Sequence, residues 1–303
     1  MLGETCLTFV RVPWATELTF NRCTNTVASV SESAMESMKL VDQDAVLGFL
    51  AKQAATRMPE RSLKDLRAQL TEKTIDVLAA YRKNFSGSHP PGQLVLPENL
   101  KEFSMYMLGL IKSRALKAGH EPTDRRVYDM RMLKSMGLLE LSLNLYPRII
   151  GIHNLGEQDG FPNENGHLRM PPSLRASFSR IEEGGVYIVD CGQVCLLWLH
   201  ANVSPNLLED LFGEGKTDLR SLDAFSASLP VLETHLNAQV RNILQYLEDN
   251  RGSKALTIQL ARQGLDGAEF EFARLLFEDR NNEAQSYVDW LVHVHRHIQL
   301  EVS

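Results

Sequence analysis

The sequence predicts an α+β fold. A short β-strand remnant and linker (residues 1–37) lead into an all-helical domain (38–153), which is followed by an α/β sheet domain with a C-terminal helix (154–303). Three patterns point to this order. Apolar residues recur at helical spacing through the first half, two nearly continuous apolar runs joined by a turn follow in the second, and short β-like runs open the chain. With 303 residues, 44% apolar and 23% charged, the chain can bury a sizeable core and has room for two domains.

The first elements are Cys6 to Val12 and Thr16 to Phe20, β-like runs separated by Pro13. Two strands alone are marginal in water, so they must complete a sheet or cover a neighbour. A polar stretch with Ser29, Ser31, Ser33 and Ser37 then serves as a linker. Val46, Phe49, Leu50 and Ala54 form one helical stripe. Leu63, Leu66, Leu70, Val77, Leu78, Tyr81 and Phe85 form a longer one, started by Ser62 with Asp65 three residues later. The run from Ser86 to Gly92 breaks the pattern. Leu100, Phe103, Met107, Leu108 and Ile111 mark a third helix, and Val127, Met130 and Leu133 a fourth that Gly137 closes.

The stretch from Gly156 to Pro172, rich in Gly, Asn and Pro, reads as the major boundary or a surface loop. Beyond it, Val186 and Ile188, then Cys195, Leu197 and Leu199, belong to apolar runs joined by Asp190-Cys191-Gly192-Gln193. Continuous rather than alternating apolar character suits a hairpin in a sheet covered on both faces. Ser204-Pro205 starts a helix with Leu207, Leu208 and Leu211 inward, and Gly213 ends it. Leu232 to Leu247 gives another helix, and Leu256, Ile258 and Leu260 alternate as a strand. Ser286 caps a final helix carrying Tyr287, Trp290, Leu291, Val294 and Ile298.

A net charge of -6 supplies no general attraction to nucleic acid or anionic lipid, which needs clustered Lys and Arg. The four cysteines, Cys6, Cys23, Cys191 and Cys195, do not make the Cys-x-x-Cys pairs of a zinc knuckle and read as reduced cytosolic thiols. No run of apolar residues is long enough to span a bilayer, and the N-terminus lacks a secretory pattern. The expected setting is intracellular, with any membrane association peripheral.

Three groupings could carry chemistry. His293 and His297, four apart on a helix, face the same way, but His295 points elsewhere and no local carboxylate completes a zinc set. Cys195 and His200 lie about 17 Å apart along an extended strand, too far for a thiolate and its base. Glu278-Asp279-Arg280 could pair two carboxylates, yet adjacent residues in extended backbone point to opposite faces. Tyr187, Trp198 and Trp290 fall on inward positions and read as core. The phosphate-loop, nucleophile-elbow and His-Glu-x-x-His motifs are all missing. No catalytic, cofactor-binding or metal-ligating residue is assigned.

In order along the chain come Asp44 to Gln53, Leu78-Ala-Ala-Tyr-Arg82, Leu94-Val-Leu-Pro97 and Met105 to Lys112. They are followed by Gly185 to Asp190, Leu197-Trp-Leu199, Leu211-Phe-Gly213, Val240-Arg-Asn-Ile243, Glu278-Asp-Arg280 and Ser286 to Leu291. This ordered set resembles the C-terminal part of the cargo-adaptor subunit of the COPII inner coat, the Sec-twenty-four type. The resemblance implies a helical domain followed by a gelsolin-like α/β sheet domain, in a protein that pairs with a sister inner-coat subunit on the cytosolic face of the endoplasmic reticulum. It implies cargo selection and coat assembly for endoplasmic reticulum to Golgi transport, by multivalent binding rather than catalysis. Neither a small-molecule substrate nor nucleic acid is expected as a partner.

The chain departs from that family in lacking the zinc knuckle and trunk domain, so no cofactor is expected. Met1 to Ser37 matches the family's last β-sandwich strands poorly, and the shortfall reads as a fragment, an incomplete gene model or a truncated paralogue. The alternative function is a calcium-regulated actin-binding protein of the gelsolin and villin class, whose calcium-ligating Asp is replaced here within Gly184-Gly185. A hydrolase or transferase with no recognisable motif is the second alternative.

Overall fold

The computed structural model describes residues 3–10, 19–26, 38–85, 90, 92–251, 256–282 and 284–302. The chain forms two units, residues 1–41 and 42–303. In the first, strand β1 (Gly3–Val10) pairs antiparallel with β2 (Thr19–Thr26), in register from Gly3 opposite Thr26 to Val10 opposite Thr19. The second strand therefore starts later than the expected Thr16 and runs on through polar Asn21-Arg22-Cys23-Thr24-Asn25. Backbone pairing defines a strand even where side-chain alternation gives no signal. Pro13 and the serines from Ser29 to Ser37 lie outside the described residues.

The second unit opens with helices. In α1 (Gln43–Arg57) the Asp42 carboxylate accepts hydrogen bonds from the backbone N–H groups of Asp44 and Ala45, satisfying donors the first turn would leave free. Its buried face is Leu47, Leu50, Ala51, Ala54 and Ala55, so the expected stripe through Val46 and Phe49 is displaced, and Phe49 is 64% exposed. The small alanines that periodicity underweights set this face. Helix α2 (Leu63–Phe85) starts where expected, with Ser62 Oγ accepting from Asp65 N at 3.1 Å, and buries Leu66, Leu70, Ile75 and Leu78.

Helix α3 (Phe103–Lys112) follows a single 3-10 turn at Glu98–Leu100, and α4 (Thr123–Ser135) buries Leu133 while Val127 stays exposed. Gly137 closes the fourth helix as expected but also opens a fifth, α5 (Leu138–Leu145), which the sequence reading missed; its carbonyl accepts from Leu141 N. Helix α5 packs close to α3. A Cβ on Gly109 would stand 2.1 Å from the carbonyl oxygen of Leu145, so the crossing needs glycine.

The sheet has the order β3-β4-β5-β6, with β3 (Arg148–Gly151), β4 (Val186–Asp190) and β5 (Cys195–Leu199) antiparallel and β6 (Ile258–Arg262) parallel to β5. Ile149 pairs with Val189, so sheet hydrogen bonds cross residue 153. Both faces are covered, which is why β4 and β5 carry apolar residues without alternation. On one face Ile150, Val186, Ile188, Cys195, Leu197 and Leu199 meet α6 (Pro205–Phe212) and α7 (His235–Asp249). On the other, Ile149, Tyr187, Val189, Leu196 and Trp198 meet α8 (Ala268–Leu275), with Trp198 stacked on Phe272 at 4.6 Å.

The β4–β5 turn is held by Asp190, whose carboxylate accepts from Gly192 N at 2.9 Å and pairs with Arg251. Gly192 adopts φ 79, and a Cβ there would sit 2.7 Å from the carbonyl oxygen of Glu140 in α5. The Gly-rich loop is folded down on α7: Gln239 Nε2 donates to the carbonyls of Gly156 and Asp159, and Asn242 Nδ2 to that of Gly160. The last helix, α9 (Tyr287–Val302), leaves the sheet and packs on α2 and α3 of the helical region.

Candidate functional site

A polar arrangement of several linked hydrogen bonds lies where the helices meet the sheet, around Glu278-Asp279. Glu278 accepts from Tyr146 Oη at 2.6 Å and from Arg175 through Nε at 2.9 Å and Nη2 at 2.8 Å. Tyr146 Oη in turn accepts from Ala176 N. Asp279 accepts from Ser177 Oγ at 2.7 Å and Phe178 N at 2.8 Å. The two neighbouring carboxylates lie in a turn rather than in the extended backbone expected, yet they still serve different partners. Burial, and donation to Glu278, hold the Tyr146 hydroxyl well above its ordinary pKa.

Lys112, which the sequence reading passed over, completes this junction. Its side chain is fully buried, and Nζ donates to the carbonyl oxygens of Phe277, at 2.8 Å, and Asp279. Loss of hydration pushes its pKa down to about 8, against the opposing pull of Asp279. A lysine at the last position of an apolar helix gives no sign in sequence that it turns inward. Nearby, Trp290 Nε1 of α9 donates to the carbonyl oxygen of Ser104 in α3, and the indole is buried.

The other sequence candidates fall into place as structure. His293 and His297 do share a face, with ring centroids 4.5 Å apart, while His295 turns to the carbonyl oxygen of Gly92. Among the described residues no three His, Cys, Asp or Glu groups gather to hold a metal. Cys195 packs on the α7 face, where burial drives its thiol pKa up, whereas His200 lies against Trp198 on the opposite face. A nucleophile and base are thus separated by the sheet itself. Cys191 belongs to the other face from Cys195, so this pair does not form half of a zinc knuckle. Tyr187, Trp198 and Trp290 are all buried, as read. At Gly184-Gly185 the nearby Glu182 and Glu183 are engaged by His153 and Asn202.

Helices from the first half are thus bound to a two-faced sheet through buried side chains. Two family models match this arrangement: the Sec23/Sec24 helical domain over residues 42–143 and the gelsolin repeat over 167–244. The chain is 28% identical over 258 residues to protein transport protein Sec24A of Mus musculus, a match covering 85% of this chain and 23% of that protein. To protein transport protein sec24 of Aspergillus niger it is 30% identical over 260 residues, covering 82% and 28%. The crystal structure of the human COPII-coat protein Sec24c superposes with a TM-score of 0.77 at 27% identity, covering 94% of this chain and 36% of that one.

The chain carries Sec24-type helical and gelsolin-like regions. It spans about a quarter of the length of the curated Sec24 relatives it matches. Its gelsolin-like sheet is the Sec24 one, which removes the actin-binding alternative raised by the hairpin alone. The junction is where the two Sec24-type regions become one body, since Lys112, Tyr146 and Trp290 each bind across it. Among the described residues no helix is long and apolar enough to cross a membrane.

Proposed function

We propose that this chain is a non-enzymatic component of a COPII-type coat, acting in cargo selection and coat assembly between the endoplasmic reticulum and the Golgi. The observation that carries this reading is the ordered match of both regions to Sec24 proteins, with 94% of the chain superposing on Sec24c. Its partners are the sister inner-coat subunit and cargo proteins, and its place is peripheral, at the cytosolic face of the endoplasmic reticulum membrane and on coated vesicles. The reading includes no cofactor and no small-molecule substrate. Binding strength would come from many weak contacts made at once in an assembly. The test is a pull-down from cytosol with the tagged 303-residue chain. Co-purification of the sister subunit supports the reading, whereas recovery without it, together with calcium-dependent co-sedimentation on actin filaments, overturns it.

A further inference from the structure

A cleft of about 410 Å³ opens between α4, the β4–β5 turn and α8. Its apolar lining includes Met132, Met136 and Leu196, with Tyr128 and the 40%-exposed Val194 also on it. Methionine side chains reshape themselves around an inserted group, which suits a surface that receives apolar side chains.

The polar lining is incompletely used. Ser113 is 94% buried, and its Oγ has no hydrogen-bond partner; the buried Nε2 of Gln193 and Oδ2 of Asp129 are in the same position. Arg114 Nε stands 3.6 Å from Asp129 Oδ2, close enough for charge attraction but too far for a hydrogen bond. A buried donor or acceptor left unpaired is costly, so three such atoms on one cleft mark a place where something with polar edges belongs. Burial holds the Asp129 carboxyl above its usual range despite the arginines nearby. The amide Nε2 can donate and the carboxylate can accept, which together complement the C=O and N–H of a peptide unit.

The charges give the occupant its sign. Three arginines (Arg114, Arg125 and Arg274) and two carboxylates (Asp129 and Glu271) line the cleft, leaving one positive charge. Arg114 and Arg274 both donate to Glu271 Oε2, at 2.8 and 2.6 Å. Arg125 is exposed and is engaged less closely than the other two, its charge acting on Asp129 and Glu271 from beyond salt-bridge distance. One guanidinium thus remains for a carboxylate of the occupant.

We propose that this cleft binds a short extended segment of a partner protein, one that carries a carboxylate beside an apolar side chain. The carboxylate meets Arg125, the apolar side chain enters between Met132, Met136 and Val194, and the backbone amide meets Gln193 and Asp129. The site stands whether or not the chain assembles into a coat, so failure here would leave the pull-down result untouched.

The probe is acetyl-Ala-Leu-Glu-Ala-amide, titrated into the 303-residue chain bearing methyl-labelled methionine and read by NMR. The expected result is a saturable shift of the Met132 and Met136 methyl signals, with binding weaker by about tenfold for the Gln-containing analogue and for the Arg125→Ala variant. That variant alters an exposed side chain, and its far-ultraviolet dichroism and melting temperature should match those of the parent chain. Three results overturn the proposal: no shift at about 5 mM peptide, equal binding of the two peptides, or saturation of the same signals by acetylglutamate at the same concentration, which would make this a small-anion pocket.

Discussion

Lys112 shows how one side chain can tie stability to pH. Its pKa is near 8 when folded and about 10.5 when hydrated in the unfolded chain, so between those values unfolding takes up a proton. The associated stability is fully present above about 10.5 and is lost as pH falls through about 8. Urea midpoints measured from pH 7.5 to 10.5 should therefore show a rising component in the parent chain that disappears in Lys112→Met. A flat difference between the two proteins would contradict the burial of the ammonium group. At Tyr146 the expectation is simpler. Tyr146→Phe leaves Ala176 N unpaired and takes one donor from Glu278, a loss of about 1–3 kcal/mol by urea unfolding.

At the scale of elements, helix crossings are set by what is missing. Gly109→Ala places a methyl group on the carbonyl of Leu145, backbone that cannot rotate aside, and should destabilise by more than the roughly 1–3 kcal/mol of ordinary overpacking. Circular dichroism melts would register it. Trp290→Ala, which empties the contact of α9 with α3, should cost about 3–5 kcal/mol in the same assay. These elements also show what the sequence made legible. The hairpin, its two covered faces, the Ser62 and Ser286 starts and the Gly213 stop were readable because each depends on local residue chemistry. Helix α5, the small-residue face of α1 and the inward turn of Lys112 were not, since each is decided by a neighbour distant in sequence. The cleft was equally hidden: Arg125, Gln193 and Ser113 share no motif and meet only where α4, the end of α3 and the β4–β5 turn come together in the fold.

Across residues 42–303, helices and sheet share one body, so they should unfold together. Leu70→Ala in α2 and Phe272→Ala in α8 are expected to lower the same single transition, seen alike by far-ultraviolet and near-ultraviolet dichroism. Two separable transitions would show that the Lys112 and Trp290 contacts are weaker than their burial implies. The return of α9 onto α2 has a consequence for biosynthesis. Tyr287 leaves the ribosome 224 residues after Leu63, which at about 5–20 residues per second is a wait of roughly 10–45 s. Throughout that interval the side of α2 that α9 will cover has greasy side chains and no lid, which makes this stretch a natural client for chaperones that shelter half-made proteins.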